Sequence, residues 1–179
     1  MKYYKELDSN GIEIRHQLLW YADRILRCVH GPIKEVIFPV NHIQMLACSP
    51  KLRELVAELG LTVQYATCYV TDTTSREIND IHIHVNQGAR LNIPVLNSTA
   101  ARTVFYKVDP QYTYHRIQKN SVTSWVSLDP NPVEVASLRI ERPTIIRANV
   151  PHSVILDQDG VRRISMILVV TPDPVYMLN

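Results

Sequence analysis

The strongest constraint on the fold lies after Gly60, where the chain becomes a series of short segments rich in Val, Ile, Thr and Tyr. Asp, Asn, Gly and Pro separate these segments, which is the pattern of β-strands joined by turns. Many strands at this spacing, with helices only at the start, indicate a sandwich or a barrel. The predicted strands are Thr62–Thr71, Ile81–Val85, Arg90–Leu96, Thr103–Val108, Tyr112–Ile117, Ser124–Leu128, Glu134–Ile140, Thr144–Ala148, His152–Leu156 and Arg162–Val170.

Two earlier segments carry helical patterns. The first, Ile14–Val29, repeats apolar residues at helical spacing and stops at Gly31. The second has Ser49 as its N-cap and Pro50 at the first helical position, and it ends at Leu59. We therefore predict a mostly β (α+β) protein, a barrel with N-terminal helices packed on one side.

Length and composition favour a single domain over residues 1–179, with about 1–60 as helical support and about 61–179 as the β-barrel core. The net charge is +2 with scattered basic residues, so we expect neither a nucleic-acid footprint nor binding to an anionic membrane. No apolar run approaches the roughly 18 residues of a membrane span, and no apolar signal region opens the chain. An odd count of three cysteines favours a reducing compartment. A cytoplasmic protein is expected, with its oligomeric state open.

Histidines suggest the chemistry. In a strand, the spacing of His82 and His84 places both side chains on one face, with Ile81, Ile83 and Val85 packing on the other. The two imidazoles then converge on one point, and a third metal ligand must come from elsewhere. His152, on another predicted strand, is the best candidate. The alternative is a half-exposed pair without a metal. The remaining histidines have nothing nearby to recruit them: His16, His30, His42 and His115.

The last predicted strand carries an arginine in an unusual setting. Arg163 and Ser165 share one face, and both faces are otherwise apolar, which predicts burial on both sides. A buried guanidinium needs an anionic partner, and a ligand carboxylate gripped in bidentate fashion would supply one. In the alternative, Arg162 or Arg163 begins the strand at the solvent edge and extends outward.

From Pro50 onward, the order of features resembles small 2-oxoglutarate- and Fe(II)-dependent oxygenases, in particular the aspartyl/asparaginyl β-hydroxylase-like proteins common in bacteriophages. The matching pieces span about two-thirds of the chain. They are the helix Leu52–Leu59 followed by Gly60-Leu61, the ligand strand Ile81–Val85, Leu91-Asn92-Ile93-Pro94-Val95, Val150-Pro151-His152-Ser153-Val154, and Arg163-Ile164-Ser165.

The resemblance implies a double-stranded β-helix, a jelly-roll or cupin-like barrel with the metal inside its mouth. It implies His82 as the first ligand, His152 as the distal ligand, and Arg163 with Ser165 as the anchor for the distal carboxylate of 2-oxoglutarate. Asn92 would either hydrogen-bond this cosubstrate or close a buried turn. The implied metal is Fe(II), with Zn or Ni as other divalent possibilities. The substrate would be a small molecule or a peptide.

The sequence departs from the family at His84, where the family has an aspartate ligand. The exchange gives three neutral imidazoles and a more positive metal centre. Three imidazoles also hold Zn(II) in hydrolytic sites. The leading interpretation is a hydroxylase-type 2-oxoglutarate oxygenase. The alternatives are a three-His enzyme that does not use 2-oxoglutarate, either a dioxygenase or a Zn hydrolase, and a non-catalytic ligand-binding relative.

The periphery of the barrel offers two further expectations. Residues 109–133, the most polar and proline-marked stretch, are expected to form an insert or a loop over the site. Substrate selection is expected from the outer mouth, drawn from Thr71–Asp80 and Tyr106–Trp125.

Overall fold

The chain forms two facing β-sheets with helices on one outer side. A computed structural model describes residues 1–27, 36–71, 81–112, 114–119, 122–158 and 160–179. The helices within these ranges are α1 (Gly11–Leu26), α2 (His42–Cys48) and α3 (Pro50–Glu58), with 3-10 helices at Ser98–Ala100 and Pro174–Leu178. The strands are β1 (Tyr4–Glu6), β2 (Val36–Val40), β3 (Thr62–Thr71), β4 (His82–Ile83), β5 (Ala89–Leu96), β6 (Ala101–Lys107), β7 (Tyr114–Lys119), β8 (Val122–Ser127), β9 (Val133–Leu138), β10 (Thr144–Arg147), β11 (His152–Leu156) and β12 (Arg163–Thr171).

Each sheet has six described strands, and neighbouring strands run antiparallel. The first sheet has the order β1-β10-β5-β12-β3-β2, and the second has the order β7-β8-β4-β11-β6-β9. From β3 to β6 and again from β9 to β12, each strand lies in the opposite sheet from the one before it. This alternation makes the sheets the two halves of one barrel. The predicted mostly β (α+β) class is confirmed.

The main apolar core lies between the first sheet and the helices. Ile164, Met166 and Leu168 of β12 join one buried cluster with Leu18 of α1 and Leu52 of α3. Because successive side chains of a strand point to opposite faces, the alternate residues of β12 face the second sheet. The helices thus support the first sheet from outside, and the space between the sheets is available to polar side chains.

The capped helix α3 forms as predicted, whereas α2 was not anticipated. Ser49 Oγ accepts from the backbone N of Leu52 at 3.4 Å at the start of α3. The side chain of Asn41 caps α2 by accepting from two backbone N–H groups at 3.1 Å each. With seven residues and Met45 as its buried residue, α2 is too short to show an apolar repeat. Helix α1 begins earlier than predicted, and residues 28 and 29 of its predicted end lie outside the described residues.

Two edge strands of the first sheet, β1 and β2, were also not predicted from the sequence. Strand β1 has only three residues, which is too few for an alternating pattern. Strand β2 contains Pro39, which argues against a strand interior but is tolerated at an edge, where β2 lies.

The polar stretch 109–133 is not the predicted loop over the site, whereas the alternative prediction of an insert stays a prediction. The stretch contains the hairpin of β7 and β8, and β8 pairs with the histidine strand β4 through His82 with Val126 and Ile83 with Trp125. The hairpin therefore extends the second sheet. Thr71–Asp80 is the other segment that was predicted to line the outer mouth of the barrel. Its residues 72–80 lie outside the described residues.

Candidate metal centre

Three histidines from the second sheet meet inside the barrel. His82 in β4 lies directly across the antiparallel ladder from His152 in β11. His84 follows β4, and its backbone N donates to Ala148 O at 2.9 Å, which fixes it beside the end of β10. One ring nitrogen from each histidine lies within 4.8 Å of the others. The convergence expected from the sequence is therefore present in the structure.

The reason for this convergence differs in part from the one predicted. Strand β4 ends at Ile83, so ladder pairing does not carry the alternation through to His84. Val85 is 58% exposed rather than packed on the opposite face, and that detail of the prediction is wrong. His84 is instead directed inward by its own backbone bond to Ala148 and is only 4% exposed.

The surroundings of His152 keep its imidazole ring uncharged and leave a lone pair available on one ring nitrogen. Its Nδ1 lies 2.8 Å from Val150 O. A carbonyl can only accept, so Nδ1 carries the proton and Nε2 keeps its lone pair. Burial is the main cause that lowers the pKa of His152 to about 3, and the charges of His82 and Arg90 act in the same direction. The hydrogen bond to Val150 acts in the opposite direction. The ring is thus uncharged near neutral pH, as a metal ligand must be.

These three donors suit a divalent transition metal. Neutral imidazole is a ligand for Fe, Zn and Ni, and three of them leave coordination positions open. The His152–Val150 contact is the kind of outer bond that orients metal-bound histidines. Within the part of the chain that the structure describes, no other group of histidine, cysteine and carboxylate side chains is arranged in this way.

The histidines line a cavity between the two sheets, in which the centre of a water-sized sphere can occupy about 60 Å³. The first sheet contributes lining residues from the inward faces of β3, β5, β10 and β12. The lining comprises Tyr69, Thr71, His82, His84, Arg90, Asn92, Thr103, Ile146, Ala148, His152, Val154, Arg163, Ser165 and Ile167.

The predicted cosubstrate residues stand on the wall opposite the histidines. Arg163 and Ser165 line the cavity and are 5% and 2% exposed. Arg162 is half-buried and does not line it, so the inward arginine is Arg163. Asn92 lies in the middle of β5, paired with Thr144 and Ile167, so it does not close a turn.

Asn92 offers a further polar group to the cavity. Its Oδ1 is buried and has no hydrogen-bond partner among the described residues. A buried carbonyl left without a donor is costly, so such an atom is a natural acceptor for a bound molecule.

Sequence reasoning missed Arg90. This residue also lines the cavity, is 7% exposed, and donates from Nε to Gln87 Oε1. Burial lowers the pKa of Arg90. A hydrogen bond with Tyr69 and an electrostatic interaction with the same side chain partly oppose this lowering. The available signal was the i, i+2 spacing of Arg90 and Asn92, which puts both on one face of a strand.

Other reactive side chains in the described ranges lie away from the cavity lining. His16 and His115 are exposed and His42 is half-buried, whereas His30 lies outside the described residues. Cys48 and Cys68 are free thiols, and burial raises the pKa of Cys68 to about 12. None of the described helices is long and apolar enough to cross a membrane.

Comparisons with known proteins identify the fold. No family model matches the sequence, and no curated protein matches it. A crystal structure of the epimerase SnoN with Fe3+, alpha ketoglutarate and nogalamycin RO aligns with a TM-score of 0.54 at 14% identity, covering 94% of this chain and 78% of that one. A second structure of SnoN, the non-heme alpha ketoglutarate dependent epimerase from nogalamycin biosynthesis, aligns with a TM-score of 0.51 at 12% identity over the same shares. At this identity the likeness shows the fold, and the chain adopts the double-stranded β-helix expected from its sequence.

Proposed function

We propose that this protein is a mononuclear non-haem iron enzyme that uses 2-oxoglutarate as cosubstrate and hydroxylates a small molecule or a peptide. The observation that carries the proposal is one cavity with three histidine side chains on one wall and Arg163 with Ser165 on the other. The donors suit the metal, and the facing cation suits a dicarboxylate. The same fold holds Fe3+ and alpha ketoglutarate in SnoN.

In this proposal the metal would be held by His82, His84 and His152. When bound, the iron with O2 supplies the oxidising power, as 2-oxoglutarate becomes succinate and CO2 and one oxygen atom enters a substrate C–H bond. The Val150 carbonyl keeps the proton of His152 on Nδ1, so that Nε2 remains the donor atom.

The opposite wall would bind and orient the cosubstrate. Arg163 donates two N–H groups to its distal carboxylate, and the Ser165 hydroxyl, one inward position along β12, donates a third hydrogen bond. Asn92 Oδ1 accepts from a donor of the bound molecules, which would satisfy the buried carbonyl. The walls of the barrel exclude bulk water from these contacts, which strengthens each of them.

The proposal is tested by anaerobic metal analysis followed by titration with 2-oxoglutarate while recording the visible metal-to-ligand absorption band. We expect one iron per chain and saturable 2-oxoglutarate binding. The variant His152→Ala should lose both, whereas His16→Ala, which changes an exposed histidine of α1, should lose neither. Failure of the purified protein to bind 2-oxoglutarate with iron present would contradict the proposal.

A three-His enzyme that does not use 2-oxoglutarate is the second candidate. It is favoured by the donor set itself, since no carboxylate joins the three imidazoles in the described residues. Such a site suits direct O2 chemistry or Zn-dependent hydrolysis. Metal binding without 2-oxoglutarate binding would select this candidate, and a protein that binds no metal would instead be the non-catalytic relative.

A further inference from the structure

A row of three aromatic rings leads from the start of the chain to one of the proposed metal donors. The ring of Tyr3, just before β1, packs against Phe105 of β6, with 5.0 Å between the ring centroids and 30° between the ring planes. Phe105 in turn contacts the imidazole of His152, with the centroids 6.2 Å apart and the planes tilted by 42°. Both separations lie within the range of about 4.5–7 Å that is usual for aromatic contacts. Tyr3 is therefore linked to the metal centre although it does not line the cavity.

Phe105 is the middle member of this row and supports the imidazole from behind. It lies directly opposite His152 in the antiparallel pair of β6 and β11, and it is fully buried. A buried ring keeps its place through close contacts with its neighbours. Loss of the Tyr3 ring would leave space beside Phe105, so that both Phe105 and the imidazole of His152 could shift.

A second restraint on His152 passes through the same packing. The Val150 carbonyl, which lies 2.8 Å from His152 Nδ1, belongs to a residue that packs with Tyr3 and Tyr4 against one small apolar cluster. The buried members of this cluster are Phe105, Leu138, Ile140 and Ile146. The ring contact and the hydrogen bond that orient His152 therefore depend on the same group of side chains.

The backbone holds Tyr3 in this position independently of its side chain. Tyr3 O accepts from Arg147 N at 2.8 Å, and Lys2 O accepts from Arg147 Nε at 3.0 Å. The next residue, Tyr4, pairs with Ile146 of β10 in the first sheet, whereas Phe105 lies in the second. The Tyr3 ring thus connects the two sheets, and a change of its side chain should remove this contact while the backbone stays in place.

We propose that Tyr3 is a positioning residue of the metal centre, which keeps the imidazole of His152 in its donor orientation through Phe105 and Val150. This inference rests on the proposed function for its metal and adds a residue beyond the ligands themselves. The aromatic ring has this role rather than the hydroxyl group, because the contact with Phe105 is made between rings. Loss of a partner that orients a metal-bound histidine typically lowers metal affinity by about 10- to 100-fold.

The first test is calorimetric titration of the metal-free protein with Ni(II) alone at pH 7. Tyr3→Ala should weaken Ni(II) binding by about tenfold, whereas Tyr3→Phe, which keeps the ring, should stay within about twofold of the parent. Val56→Ala is the control for a general loss of stability, because it truncates a buried side chain of α3 in the main core. It should lower the melting temperature and keep the Ni(II) affinity within about twofold of the parent.

Several results of this titration would overturn the inference. They are an unchanged Ni(II) affinity in Tyr3→Ala, an equal loss in Tyr3→Phe, and an equal loss in Val56→Ala. Tyr3 is half-buried, so Tyr3→Ala is expected to fold. A Tyr3→Ala protein that no longer unfolds cooperatively would show that Tyr3 serves the fold as a whole, which also overturns the inference.

The second test requires no metal. Two-bond proton–nitrogen NMR spectra of the histidine rings show which ring nitrogen carries the proton, and the His152 signals are assigned by their loss in His152→Leu. In the metal-free parent at pH 7, His152 should be protonated on Nδ1, the nitrogen beside Val150 O. Tyr3→Ala should give a mixture of the two neutral forms, and Tyr3→Phe and Val56→Ala should keep the pattern of the parent. An unchanged pattern in Tyr3→Ala would overturn the inference.

Failure of the proposed function leaves a different signature. A parent protein that binds Ni(II) but not 2-oxoglutarate removes the cosubstrate, and both tests of Tyr3 still apply. A parent protein that binds no metal removes the proposed enzyme, and the NMR comparison then still decides whether Tyr3 orients His152.

Discussion

Acidification should destabilise the metal-free protein through His152. The pKa of this residue is lowered by burial from 6.5 to about 3. Between these values the unfolded chain binds a proton that the folded chain does not, so the free energy of unfolding decreases as the pH falls. From pH 7 to pH 5 the loss attributable to His152 is about 2 kcal/mol, which corresponds to roughly 4–8 °C in Tm for a chain of this length.

The assay is thermal unfolding in EDTA at pH 7 and pH 5, with two variants beside the parent. His152→Leu removes the titrating group from the same buried position, so its pH-dependent loss should be smaller than that of the parent by about 2 kcal/mol. His115→Gln changes an exposed histidine and should follow the parent. The reasoning is refuted if His152→Leu and the parent lose the same stability between the two pH values.

Three further predictions concern the site and its support. Arg163→Ala should weaken 2-oxoglutarate binding by about tenfold or more while leaving metal content near that of the parent, as measured by titration and metal analysis; equal affinity would remove Arg163 from the site. His84→Asp should raise the succinate formed per iron, because an anionic ligand supports oxidised iron better than imidazole does, whereas loss of an activity shown without 2-oxoglutarate would favour the three-His alternative. Gly88→Ala should lower the free energy of unfolding by about 1–3 kcal/mol in denaturant titrations, since its Cβ would lie 2.8 Å from Val175 Cβ; an unchanged midpoint would contradict this packing.

Periodicity carried much of the fold prediction because it reflects which face of an element is buried. The strands β3 and β11 have the predicted bounds, and the two faces of β12 divide as expected between the helices and the cavity. Shorter elements lacked this information. Helix α2 and strand β1 bury too few side chains to leave a repeat, and their stability depends on caps and on pairing partners elsewhere in the chain.

The candidate site also combines features that the sequence predicted with features that depend on the tertiary structure. Residue type and alternation were enough to nominate His82, His84 and His152 and to place Arg163 and Ser165 on one strand face. They could not choose between an inward and a solvent-edge arginine, because this depends on how the two sheets enclose the strand.

Arg90 shows most clearly what only the tertiary structure decided. In the sequence it stands at the start of a strand, where an arginine commonly extends into solvent. In the folded chain the second sheet closes over it, Gln87 and Tyr69 hold it, and its charge acts on His152. The sequence alone nominated the three histidines, because their residue type and the spacing of His82 and His84 can be read from the chain. The burial of a cation beside them is a property of two sheets brought together, so no local pattern could reveal it.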